Sequence, residues 1–461
     1  MNATHFVGIG GTGLSAIARV MFERGETVTG SDREESTTTQ VLRAAGIKIF
    51  IGHTAANVNG ATRVIRSSAV SEHNVEVRAA HEKGVPVFKR SEILAELLAG
   101  QHVIAVAGSH GKTTTTAMIA WLLTQLGYDP GYIIGSMSPN LKGNAAAGGG
   151  ELFVIEADEY DHMFLGLSPT IAVVTNIEYD HPDLFPDQES FHEAFKAFAD
   201  RLEVGGTLIV CADNPGAVAL KNYAEVQGKR TISYSVESAA DYSVSELQAV
   251  PGLGYAFTLV KDGRDQGANV QLQIPGKHNA ENALAALAVA DQLALSLPTV
   301  ASALSAFEGT SRRFEVVGEA SGVLVIDDYA HHPTEIRASL AAARDRYPGR
   351  RLWALWQPHT YSRTQTLWSD FTTSFADADK VIVTSVFAAR EQPSVSFDLQ
   401  ELVAQVEHED IQFASDFAIA QDLLLSNLQP GDVLIVLSAG DAVQLSKQLI
   451  KKLSQRNAND A

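Results

Sequence analysis

The chain has 461 residues, 45% hydrophobic and 19% charged, enough apolar material for about three cored domains and too much for a disordered or collagen-like chain. Its 35 basic residues against 54 acidic ones leave a net charge of −19. That excludes broad nucleic-acid binding and docking on anionic membrane lipid, but not small anionic ligands held by local donors.

In chain order, short apolar runs alternate with helical patterns, which predicts layered α/β structure. His5–Ile9 reads as a strand entering glycines, with a helix over Leu14–Arg24 and strands at Glu26–Gly30, Val64–Arg66 and Val85–Phe88. A short helix over Ser91–Leu98 closes this unit. A second unit opens at His102 with the buried run HVIAVAG, then a helix over Lys112–Leu126, a loop at Ala145–Gly150 and strands at Leu152–Glu156 and Ile171–Thr175. Residues 240–275 alternate apolar and polar positions and predict a small antiparallel sheet, followed by an Ala/Leu-rich helix over Asn279–Leu295. The third unit places strands at Val323–Asp327, Leu352–Gln357, Lys380–Ser385 and Val433–Leu437. Its helices are expected at Thr334–Arg346, Leu399–Val406 and Ala442–Leu453. The expected domains are 1–99, 100–310 and 311–461. The single cysteine, Cys211, sits in an apolar run, predicts a buried filler and permits no internal disulfide. A reducing, cytoplasmic setting follows, and no apolar run approaches the roughly 18–20 residues of a membrane span.

Gly108-Ser109-His110-Gly111-Lys112-Thr113, between a strand and a helix, reads as a phosphate loop. Glycines let backbone N–H groups approach a phosphate, Lys112 neutralises it, and Thr113 offers a hydroxyl to Mg²⁺. The loop is shorter than the general G-x-x-x-x-G-K-[ST], since Val106 stands where the first glycine belongs. Gly8-Ile9-Gly10-Gly11-Thr12-Gly13 fits G-x-G-x-x-G, with Asp32 at about the spacing of a ribose-binding acid. A diphosphate fits there, and which nucleotide carries it stays open, a nicotinamide-dependent oxidoreductase among the readings.

Two acidic runs follow predicted strands, Glu156-Ala157-Asp158-Glu159-Tyr160-Asp161 and Glu178-Tyr179-Asp180-His181. Ligands bind outside the carboxyl ends of strands in open α/β sheets, which makes Glu156 and His181 the expected metal ligands. At least half of these acids are expected only to solvate loop starts. Asp327-Asp328-Tyr329-Ala330-His331-His332 and Gln357-Pro358-His359-Thr360-Tyr361-Ser362-Arg363 also follow strands, and Arg363 suits a carboxylate or phosphate.

Taken together, GIGGTG, GSHGKTTTT, EADEYD, TNIEYDH, GKHNAEN, GTSRRFE, DDYAHHPTE and QPHTYSRT resemble, in order, the motifs of the Mur ligases of bacterial cell-wall synthesis. The resemblance implies a Rossmann-like N-terminal domain, a central P-loop ATPase domain and a Rossmann-like C-terminal domain. It implies ATP and Mg²⁺ as cofactors and a carboxylate–amine ligation, with a monomer or homodimer as the assembly. The pair DDYAHHPTE and QPHTYSRT implies UDP-N-acetylmuramate and L-alanine as substrates, with a tripeptide in place of alanine as the nearest alternative. By this analogy Gly10, Gly11, Thr12, Gly13, Asp32 and Ser67 hold the UDP-sugar. Gly108 to Thr114, with His278, Asn279, Asn282, Arg313 and Asp328, hold ATP. Thr113, Glu156 and His181 hold metal, while His331, His359 and Arg363 meet the amino acid. Lys112, Glu156, His181, Arg313 and Asp328 form the implied catalytic set.

Overall fold

The computed structural model describes residues 3–389, 391–392 and 397–459, the side chains of 456–459 excepted. Three sheets, each flanked by helices, make a three-domain α/β protein. The first is wholly parallel and runs in space Lys48–Ile51, Thr27–Asp32, Ala3–Val7, Arg63–Arg66, Val87–Lys89. Strand order reverses beside Ala3–Val7, so the glycine loop that follows it opens at the switch point, where such sheets bind ligands.

The second sheet has ten strands. Its parallel centre runs Arg230–Tyr234, Thr207–Cys211, Ile171–Val174, His102–Ala107, Leu152–Glu156, Gly131–Ser138. The phosphate loop leaves His102–Ala107 at this sheet's own switch point. The predicted antiparallel sheet is present as Tyr242–Ala249, Tyr255–Lys261 and Arg264–Gln271. It is not separate, because Tyr242 pairs with Tyr234 and makes it the continuation of the central sheet. Part of the expected loop at Ala145–Gly150 is a strand, Gly143–Ala146, antiparallel to Gly131–Ser138.

The third sheet runs Glu315–Ala320, Val323–Asp328, Val433–Leu437, Leu352–Trp356, Lys380–Thr384, Ile411–Ala414, parallel except for its first strand.

The helix Lys277–Gln292 is buried on almost every side, from Ala280 and Asn282 through Ala290. Its alanines let it lie close to the helix Lys112–Gln125, itself buried from Thr113 to Ala120. This pairing brings Asn282 against Gly111 of the phosphate loop, with Asn279 bonded behind it. Cys211 is buried as expected, and burial pushes its thiol up to about 12, which leaves it unreactive.

Candidate active site

The phosphate loop is fixed by the neighbouring strand end. Gly108 has φ +134°, and a Cβ there would lie 2.1 Å from Thr175 Oγ1. Gly111 has φ +78°, and a Cβ would lie 2.6 Å from Asn282 Oδ1. Only glycine fits either place. Thr175 Oγ1 donates to His110 O at 2.5 Å, and His110 N donates to Asn176 Oδ1 at 2.8 Å. Ser109 Oγ donates to Glu178 O at 2.7 Å. Lys112 Nζ donates to Gly108 O, to Ser109 O at 3.1 Å and to the buried Glu159 at 3.0 Å.

Thr113 Oγ1 donates to Glu156 Oε1 at 3.1 Å, and Gly135 N donates to Glu156 Oε2 at 2.6 Å. Burial raises the Glu156 carboxyl against the pull of Lys112. His181 faces Glu159 at 3.6 Å and Asp180 at 3.7 Å.

The third unit reaches this rim with paired charges. Arg363 Nε donates to Asp180 Oδ1 at 2.7 Å, and both residues are buried. Burial alone would raise Asp180, but Arg363 holds its carboxyl well below the usual range. Arg363 also contacts His359 Nδ1 at 2.9 Å. Glu335 lies 3.2 Å from His110 and 3.3 Å from Arg313, and Thr334 Oγ1 donates to Glu178 at 2.7 Å. Arg313 lies 5.0 Å over the Tyr329 ring. Asp328 accepts from Phe314 N, Ala330 N and Ser339 Oγ, and burial still raises its carboxyl to about 6.

Two adjoining chambers open between the domains. A cavity of about 270 Å³ holds His110, Gly111, Thr114, His278, Asn279, Asn282 and Asp328 in its lining. A larger one, about 720 Å³, is lined by Thr12 and Gly13 from the first unit, Ser109, Lys112, Thr113, Glu156 and His181 from the second, and His331, His359 and Arg363 from the third. Gly111, Arg313 and Glu335 line both.

Family profiles match the chain in this same order. The Mur ligase family catalytic domain covers residues 3–102, the Mur ligase middle domain 106–290, and the Mur ligase glutamate ligase domain 312–440.

The chain belongs to the Mur ligase family.

It is therefore an ATP-dependent ligase. It is 40% identical to a UDP-N-acetylmuramate–L-alanine ligase of Roseiflexus sp. (strain RS-1), over 98% of this chain and 99% of that protein. It is 42% identical to one of Myxococcus xanthus (strain DK1622), over 97% and 94%. A solved UDP-N-acetylmuramate–alanine ligase from Thermotoga maritima matches with TM-score 0.82 at 28% identity, over 99% of this chain and 100% of that one. A murein peptide ligase from Psychrobacter arcticus 273-4 matches with TM-score 0.72 at 27% identity, over 98% and 99%.

Within this Mur ligase, four of the expected substrate residues stand outside both cavity linings: Gly10, Gly11, Asp32 and Ser67. Asp32 accepts from Gly10 N at 2.8 Å, so its carboxylate braces the glycine loop. Ser67 packs under Gly8, its Cβ 3.0 Å from where a glycine Cβ would sit. The expectation that at least half of these acids only solvate loop starts is corrected, since all six have partners in the protein. Asp158 pairs with Arg90 at 2.9 Å, Asp161 accepts from Ser68 at 2.6 Å, and the other four are described above. Sequence reasoning missed Glu159, Glu178, Asp180, Glu335 and Asn176 as site residues. Glu391, which lines the larger chamber and accepts from Thr360 Oγ1 and Ser362 N, was missed too.

Proposed function

We propose that this ligase joins L-alanine to the lactyl carboxylate of UDP-N-acetylmuramate, with ATP and Mg²⁺, in cytoplasmic peptidoglycan precursor synthesis. One observation carries the reading. The larger chamber runs from the glycine loop of the first unit, past Lys112, to the histidines and Arg363 of the third, and it shares Gly111, Arg313 and Glu335 with the nucleotide chamber. Residues 1–99, 100–310 and 311–461 then divide three ligands among them: UDP-sugar, nucleotide and amino acid. The match to alanine ligases supports alanine as the amine.

The donor set fits Mg²⁺. Thr113 supplies a hydroxyl and Glu156 a carboxylate, both hard oxygen ligands. A Cβ at residue 135 would lie 2.5 Å from Glu156 Oε2, so Gly135 keeps room beside that carboxylate. His181 stands on the same rim and can add a nitrogen. Bound there, Mg²⁺ neutralises phosphate charge and orients the γ-phosphate.

The protein's work is positioning and charge neutralisation. Amides of the phosphate loop and Lys112 hold the γ-phosphate of ATP. The carboxylate of the sugar's lactyl group attacks phosphorus and displaces ADP, forming an acyl phosphate. The amine of L-alanine attacks the acyl carbon, loses a proton, and expels inorganic phosphate from the tetrahedral adduct. Arg363, braced by Asp180, presents its charge to the amino acid's carboxylate. Burial lowers His359 to about 4 and holds His331 well below its ordinary range, so neither ring carries a charge that repels a cationic amino group. Arg313 and Glu335, reaching the phosphate loop from the third unit, close the chamber and shield the acyl phosphate from water.

Ligation with UDP-N-acetylmuramate ¹⁸O-labelled in its carboxylate tests this chemistry. One labelled oxygen should appear in the released phosphate together with a UDP-N-acetylmuramoyl-alanine mass. Phosphate free of label would refute the acyl-phosphate route.

A further inference from the structure

The smaller cavity follows the carboxyl ends of four adjacent parallel strands. It begins at Gly111 after His102–Ala107 and passes Asn176 after Ile171–Val174. It continues to Asp213 after Thr207–Cys211 and reaches Tyr234 at the end of Arg230–Tyr234. Three strand spacings of about 4.8 Å make roughly 14 Å, the scale on which a nucleoside triphosphate extends from terminal phosphate to base. With the phosphates on the loop, the base lies over the last two strands.

Polar groups at that end are mostly engaged. Asp213 accepts from Ser235 Oγ at 2.5 Å and from Val236 N at 2.8 Å. Asn214 Oδ1 accepts from Ile177 N at 3.0 Å and Ala217 N at 2.9 Å. Glu237 pairs with Lys277. Glu281, in the second turn of the helix Lys277–Gln292, lines the same cavity. Among the described residues no hydrogen bond reaches its carboxyl. Burial first, then Asp213, raises that carboxyl to about 7 against the pull of Lys277. The carboxyl is half-buried, and an acid without a protein donor gains from one that a ligand brings.

We propose that Glu281 reads the purine by accepting a hydrogen bond from the exocyclic amine of adenine, and so sets the preference for ATP over 6-oxo purine triphosphates. The inference rests on the ATP-dependent ligation proposed above. Above its pKa the carboxyl is ionised, and an oxygen at position 6 then turns lone pairs, not N–H, toward it, which sets two acceptors facing each other in a half-buried pocket. Hydrogen at that position offers the carboxyl no donor.

The test compares kcat/KM for ATP, inosine triphosphate and purine riboside triphosphate in the complete ligation at about pH 8.5, where the Glu281 carboxyl is ionised. Wild type should favour ATP over each analogue by about tenfold or more. Glu281→Ala should bring all three within about twofold of one another while the KM for the UDP-sugar stays at the wild-type value. Glu281→Gln keeps an acceptor and gains a donor, so it should still favour ATP over purine riboside triphosphate but use inosine triphosphate better. Full ATP preference in Glu281→Ala, with normal turnover, would overturn the inference and leave the ligase reading intact. A wild-type enzyme that ligates with none of the three would overturn both.

Discussion

His110 provides a sharp physical test of how the third unit meets the phosphate loop. Its Nε2 lies 3.3 Å from Glu178 of the central unit and its Nδ1 3.2 Å from Glu335 of the third. The ring also packs 4.6 Å from that of His332. Burial alone would lower its pKa, but the two carboxylates raise it from the ordinary 6.5 to about 9. That rise corresponds to about 3 kcal/mol of preference for the charged ring. The folded value lies above the unfolded one, so this stabilisation is fully present below pH 6.5 and is lost as the pH climbs through about 9. In ligand-free enzyme with ¹⁵N-labelled histidine, side-chain NMR should place the His110 midpoint near 9. Glu335→Gln should lower that midpoint by about one pH unit or more, because only Glu178 then faces the ring. A wild-type midpoint below 7, or one that Glu335→Gln leaves in place, would refute the two-carboxylate geometry.

Other consequences follow from the same contacts. Lys112→Ala should lower ligation by about a thousandfold or more, measured as ADP release, and near-normal rates would remove Lys112 from the phosphate site. Arg363→Met leaves Asp180 buried without its partner and should cost about 3–5 kcal/mol in urea unfolding. Adding Asp180→Asn should recover part of that, and a double variant no more stable than the single would contradict the pairing. Gly111→Ala puts a Cβ 2.6 Å from Asn282 Oδ1 at φ +78° and should cost about 1–3 kcal/mol of strain. Calorimetry should show weakened ADP binding by this variant, and unchanged affinity would count against the loop geometry.

Much of the architecture was legible because apolar runs with glycine-rich ends mark parallel strands directly. Leu152–Glu156 and Val433–Leu437 match their predicted bounds. Gly143–Ala146 was missed because its strand character comes from pairing with Gly131–Ser138, and AAAGGG shows no alternation of its own. The phosphate loop, Glu156, His181, His359 and Arg363 were legible as residue types at strand ends. What each one touches was not. Spacing makes Asp32 a candidate for a ribose, and the bond it accepts from Gly10 N, which ties it to the glycine loop, is not visible in the sequence. The acids of EADEYD look equivalent in sequence. The turn that follows, with Asp161 at φ 56° and His162 at φ 52°, sorts them onto different partners. Glu335 reads locally as a helix-start residue and does bond back to the cap. Its second task, bridging His110 and Arg313, depends on how two distant sheets meet, which no local pattern records.

The central claim is tested most directly by amine-dependent phosphate release. Purified enzyme with ATP, Mg²⁺ and UDP-N-acetylmuramate should release phosphate in proportion to added L-alanine and yield the UDP-N-acetylmuramoyl-alanine mass. Release that answers only to a tripeptide, with L-alanine inert, would contradict it.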